Sequence, residues 1–134
     1  MGTTVAGFTL AGGTGYSELN DPTAIFVHPD GTMYIADSFN YRVQRWLPDE
    51  PLGLTVAGGR GNGATFDRIG MVYAIFVDTS GNIYVSENSN NRVTFWAAGN
   101  TTASRLVTFY LVYIVHRNCM LFFRLLAPEQ QVLL

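Results

Sequence analysis

Apolar residues in this chain fall in short runs, each closed by a cluster of Gly, Asp, Asn or Ser. Thr23–Val27 is a continuous run of β-branched and apolar residues, the pattern of a strand buried on both faces. Asp30-Gly31 marks a turn, Met33–Ala36 a second strand, Asp37–Tyr41 a polar turn, and Arg42–Trp46 a third strand that alternates about Val43. After Pro48 and Pro51 comes a fourth run, Leu54–Ala57. The same order returns downstream: Ala74–Val77, the turn Ser80-Gly81-Asn82, Ile83–Ser86, the turn Glu87–Asn91, and Arg92–Trp96. Ala24–Trp46 and Ala74–Trp96 align at a constant offset of 50, and ten of their 23 positions are identical. Spacing of this kind predicts an all-β repeat protein built of four-stranded antiparallel units.

Between the runs the pattern is looser. Thr3–Gly7 (TTVAG) resembles Leu54–Gly58 (LTVAG) and reads as a leftover outer strand, at an offset of 51. A Gly-rich link follows each, at 12–15 and 58–63, and the second (GGRGNG) reads as a flexible connection; it lacks the Gly-Lys-Ser/Thr of a phosphate loop. A fourth strand of the second unit is due near residue 105, but no Val-Ala-Gly stands there and the register dissolves. The expected organisation is therefore a repeat region over 1–104, with unit one at about 23–58 and unit two at about 74–104, followed by a tail at 105–134. Leu106–Val115 is ten residues without a charge. Its composition reads as a strand. The competing reading is a membrane span over 106–126, which His116, Arg117, Asn118 and Arg124 interrupt, each central Arg costing about 2.5–3.5 kcal/mol. A third reading places the tail outside the repeat fold altogether.

Composition narrows the function only slightly. At 134 residues, 48% hydrophobic and 13% charged, the chain suits one folded domain. Its net charge is −2, and its eight bases are all arginines scattered along the chain, so no nucleic-acid partner is expected. Cys119 is alone and leaves the redox compartment open. The first residues lack the basic and long apolar regions of a signal peptide. His28 and His116 are the two histidines; His28 follows the first strand of unit one, where unit two has Asp78. A metal site needs several converging ligands, and Asp30, Asp37, Asp78 and Glu87 lie in separate turns without calcium-loop spacing. No Gly-x-Ser-x-Gly elbow is present. No cofactor is expected.

The residues that recur in both units are the candidates for a shared role. Asp37, Asn40, Arg42 and Trp46 correspond to Glu87, Asn90, Arg92 and Trp96. The acids and amides suit turn capping, the arginines stand close enough to pair with the acids, and the tryptophans suit packing between units. Val5-Ala6-Gly7, Pro22, Ile25, Val27, Gly31, Tyr34, Ile35, Asp37, Asn40, Arg42 and Val43 together resemble the NHL repeat. The second copy departs from it at Glu87, where Asp is usual, and near Gly70–Met71, where Pro is usual. The resemblance covers about residues 3–97 and implies a partial β-propeller, two blades of a six-bladed type, in which the motif residues are structural. It implies a non-catalytic binding module with a protein partner, read as a fragment of a larger propeller. The alternative is a fragment of a metal-dependent propeller lyase or hydrolase. A head-to-tail homo-oligomer is a further expectation, with Thr3–Gly7 of one copy completing the second unit of the next.

Overall fold

A computed structural model describes residues 2–8, 12–103 and 105–107. The strands are β1 (Pro22–Val27), β2 (Met33–Asp37), β3 (Arg42–Trp46), β4 (Leu54–Gly58), β5 (Val72–Val77), β6 (Ile83–Glu87), β7 (Arg92–Trp96) and β8 (Arg105–Val107). They form two antiparallel sheets, each with its strands in chain order, β1-β2-β3-β4 and β5-β6-β7-β8. The described chain is thus all-β apart from one 3-10 turn, Ser38–Asn40. Neither sheet closes into a barrel.

Side chains alternate between the faces of a strand, so the register decides which residues meet. In sheet one Tyr34 lies opposite Arg45, Ala36 opposite Val43, and Val43 opposite Ala57, which places Tyr34, Ala36, Val43 and Ala57 on one face. In sheet two Ile75 pairs with Val85, Val77 with Ile83, and Ile83 with Trp96, on the face of opposite parity. These two sets make one buried core, with Ile69 from the connecting segment fully enclosed among them. The repeat partner of Tyr34 is Tyr84, not Ile83. Equivalent sheets therefore stack front to back, as tandem copies do, rather than face to face as a mirrored pair. A polar tie reinforces the contact: the Thr23 hydroxyl donates to the Val72 carbonyl at 2.9 Å, and the Ser38 hydroxyl lies 3.2 Å from the same oxygen. An aromatic row runs from Phe26 through Phe76 and Tyr84 to Phe95, with centroids 5.6, 6.0 and 5.1 Å apart.

The structure differs from the sequence expectation in two places. First, β1 is not buried on both faces: Ile25 and Val27 are 57% and 56% exposed, whereas Val77, the repeat partner of Val27, is 2% exposed. Sheet one covers that side of β5, and β1 has no such neighbour among the described residues. Second, β8 supplies the fourth strand of sheet two, its Val107 opposite Val93 as Ala57 is opposite Val43, so the boundary expected at 104 falls short of a strand that belongs to the unit. Thr3–Gly7, read from the sequence as a leftover outer strand, is in neither sheet. Residues 108–134, which hold most of the segment considered as a membrane span, lie outside the described residues. Among the described residues no helix is long and apolar enough to cross a membrane.

Two measurements check this packing. Ile69→Ala should lower the unfolding free energy by about 2–5 kcal/mol in urea titration, because the side chain it shortens is fully enclosed. Burial, and secondly the Asp78 carboxylate, raise the Tyr84 phenol above its ordinary value. The folded state therefore holds that proton longer than the unfolded chain. Its contribution is complete below the ordinary tyrosine range and is lost as pH rises through the raised folded value. Tyr84→Phe should flatten the alkaline fall in stability, followed by thermal unfolding at increasing pH.

Candidate functional site

The end of the second strand and the start of the third place an acid opposite an arginine in each sheet, Asp37 across from Arg42 on β2 and β3 and Glu87 across from Arg92 on β6 and β7. Both carboxylates are fully buried. A buried carboxylate is tolerable only when charge and lone pairs are both met. Arg42 Nε lies 2.6 Å from Asp37 Oδ2, and Arg92 Nε lies 3.0 Å from Glu87 Oε1. The Asn20 N–H donates to Asp37 Oδ1 at 2.6 Å, and Asn40 Nδ2 reaches both oxygens at 3.0 and 2.9 Å. In sheet two the Gly70 N–H donates to Glu87 Oε2 at 3.0 Å, Asn90 Nδ2 to the same oxygen at 2.6 Å, and the Thr94 hydroxyl to Oε1 at 2.9 Å.

The rest of each guanidinium grips the segment ahead of its sheet. Arg42 Nη1 donates to the Thr14 carbonyl at 2.9 Å, and Nη2 to those of Gly15 and Glu18 at 2.8 and 3.0 Å. Arg92 makes the same set one repeat later, to the carbonyls of Ala64, Thr65 and Arg68. Asn40 and Asn90 donate to the carbonyls of Gly13 and Gly63 at 2.7 and 3.0 Å. The Gly53 N–H donates to the Tyr16 carbonyl at 2.8 Å, and the Ala103 N–H to that of Phe66 at 2.7 Å. Each of these partners is displaced by 50 from its counterpart. The link at 58–63, expected to be flexible, thus ends in a latch acceptor, Gly63. The sequence carries this signal in Gly13/Gly63, Tyr16/Phe66 and Leu19/Ile69, but it is weaker than the strand repeat because the identities are few.

Latching residues 13–20 against sheet one leaves an open cleft of about 510 Å³, lined by Thr14, Tyr16, Phe39, Asn40, Tyr41 and Thr55 among others. Phe39 and Tyr16 are 53% and 62% exposed. Tyr41 holds a left-handed backbone, φ 51°, which lets its carbonyl accept the Gly59 N–H at 2.8 Å. Its repeat partner Asn91 has φ 48°, and asparagine tolerates that region better than tyrosine. Gly58, at φ 67°, passes so close beneath the Tyr41 carbonyl and Ile69 that a Cβ there would collide with both. The cleft wall is therefore backbone held by fixed hydrogen bonds, with aromatic rings at its rim and hydroxyls within reach. Arg42 reaches the cleft with its guanidinium already engaged.

The other sequence candidates lie apart from it. Trp46 and Trp96 are buried in their sheets; Trp96 Nε1 donates to Thr94 Oγ1 at 3.0 Å, while Trp46 Nε1 has no partner. His28 Nδ1 stands 3.1 Å from Asp30 in the first turn. Among the described residues no group of three or more His, Cys, Asp or Glu is placed to hold a metal ion. No family model matches the chain, and a search of curated proteins finds no match.

Removing one partner of the Asp37–Arg42 pair strands a buried charge. Arg42→Met should cost about 3–5 kcal/mol in chemical denaturation. It should also speed amide exchange in residues 13–20, which lose three carbonyl anchors. Unchanged exchange there would separate the ion pair from the ordering of that segment.

Proposed function

We propose that the two sheets are neighbouring blades of an NHL-type β-propeller, and that the chain is a non-catalytic binding module which takes an extended polypeptide in the cleft beside Tyr16 and Phe39. The observation that carries the reading is the aromatic-rimmed cleft on a latched backbone wall. Preordered walls cut the entropic cost of binding, and exposed aromatic anchors supply most of the energy in protein recognition. The repeat positions Asp37, Asn40, Arg42, Glu87, Asn90 and Arg92 support it from the other side: their polar atoms are engaged in holding the fold. The front-to-back stacking of equivalent sheets supports the blade assignment. With β8 paired to β7, that edge of sheet two is filled within the chain, so association between copies is better sought on the sheet faces than by addition of Thr3–Gly7.

Selection from a random-peptide library against the full chain tests the cleft. Peptides that enrich should lose about thirtyfold in Kd on Phe39→Ala or Tyr16→Ala, about 2 kcal/mol for each anchor, with circular dichroism unchanged. Peptides that bind both variants as well as the parent would place recognition elsewhere.

A further inference from the structure

Inside the chain, the face of sheet one that presents Ala24, Phe26, Tyr34, Ala36 and Val43 packs on the face of sheet two that presents Ile75, Val77, Ile83, Val85 and Trp96. The 50-residue repeat means that every chain carries both faces twice. Sheet two has on its far side Ala74, Phe76, Tyr84, Ser86 and Val93, position for position the residues of the first face. Sheet one has on its far side Ile25, Val27, Met33, Ile35 and Trp46, position for position the residues of the second. The changes are conservative in volume, Ser86 for Ala36 and Met33 for Ile83 being the largest in kind. On this second face Ile35 and Trp46 are already buried within the chain, but the strand nearest the inner edge is uncovered: Ile25 and Val27 are more than half exposed where the packed sheet buries Val77.

We infer that the far face of sheet one receives the far face of sheet two from a second copy of this chain, reproducing between molecules the contact the chain makes within itself. This rests on the reading of the sheets as stacked blades. The contact is heterologous, one face on a different face, so each added copy leaves one face of each kind at the ends until the stack closes. The Phe26–Phe76 ring pair, 5.6 Å apart within the chain, recurs across each junction as Phe76 of one copy against Phe26 of the next. No strand exchange is needed.

Sedimentation equilibrium on the full chain is the test. The expected particle is a multiple of the 14.8 kDa mass of one chain, two copies or more. Val27→Asp puts a carboxylate into the intermolecular contact but into open water in the isolated chain, so it should weaken association on the order of a hundredfold and leave the circular dichroism unchanged. Leu52→Asp, at an exposed loop position off both faces, should leave association as it was. In a Cys119→Ser background, chains carrying Phe26→Cys and chains carrying Phe76→Cys should be joined by a short bis-maleimide when mixed, and neither should be joined to itself. An assembly of any length that Val27→Asp dissolves supports the contact. A monomer at all concentrations, or an assembly indifferent to Val27→Asp, overturns it. Val77→Asp distinguishes this failure from that of the blade reading: it should unfold the chain if the internal stack exists, and a chain that tolerates it would sink the stacking itself.

Discussion

A carboxylate cannot be enclosed without a counter-charge and a full set of donors, and this requirement organises each unit. Asp37 and Glu87 are fully buried. Each recruits an arginine from the next strand, an asparagine from the intervening turn and a backbone N–H from the segment ahead of the sheet. The arginine then has donors left over, and the carbonyls of that same segment take them. The segment ahead of each sheet is ordered by these charge-assisted bonds, and in sheet two by the burial of Ile69 as well. The cleft exists because that segment is held at a fixed distance from the 3-10 turn.

The two latches differ by one methylene, and neighbouring residues adjust to it. Glu87 reaches Thr94, whose hydroxyl in turn accepts from the Trp96 indole, giving a connected buried chain. Asp37 is shorter, and Gln44 stands where sheet two has Thr94. Gln44 Oε1 and Trp46 Nε1 are both buried without a partner, and Gly53 lies so close to both that a Cβ there would strike them. Sheet one thus carries a less satisfied interior than sheet two at this position.

The strands and their pairing order were legible because runs of apolar residues closed by turn residues recur at a fixed interval, and the acid–arginine pairs because they recur with them. What escaped was set by packing partners rather than by local pattern. Ile25 and Val27 carry the same residue types as Ile75 and Val77, so no reading of the strand alone separates the exposed pair from the covered one. Residues 13–20 and 63–70 share few identities because their contribution is made by carbonyls, which every residue possesses. The fourth strand of sheet two was due near residue 105 by spacing but carries no Val-Ala-Gly there; β8 forms at Arg105–Val107, and the preceding Ala103 keeps its bond to Phe66 at the repeat interval. The cleft, assembled from the link, the 3-10 turn and β4, had no single stretch of sequence to announce it.

Because the arginines span 24 to 28 positions to reach their carbonyls, the spacing from the link through the third strand is locked in each unit. A residue gained or lost anywhere in 18–42 or 68–92 would carry the guanidinium past its acceptors or turn a strand's faces over. The bends at 47–52 and 97–102 are mostly exposed, and no latch bond begins or ends in them. An inserted residue is therefore accommodated most readily in those two bends. Thirteen of the 23 aligned positions differ between the copies while the interval of 50 holds, so the geometry asks more of the spacing than of most side chains.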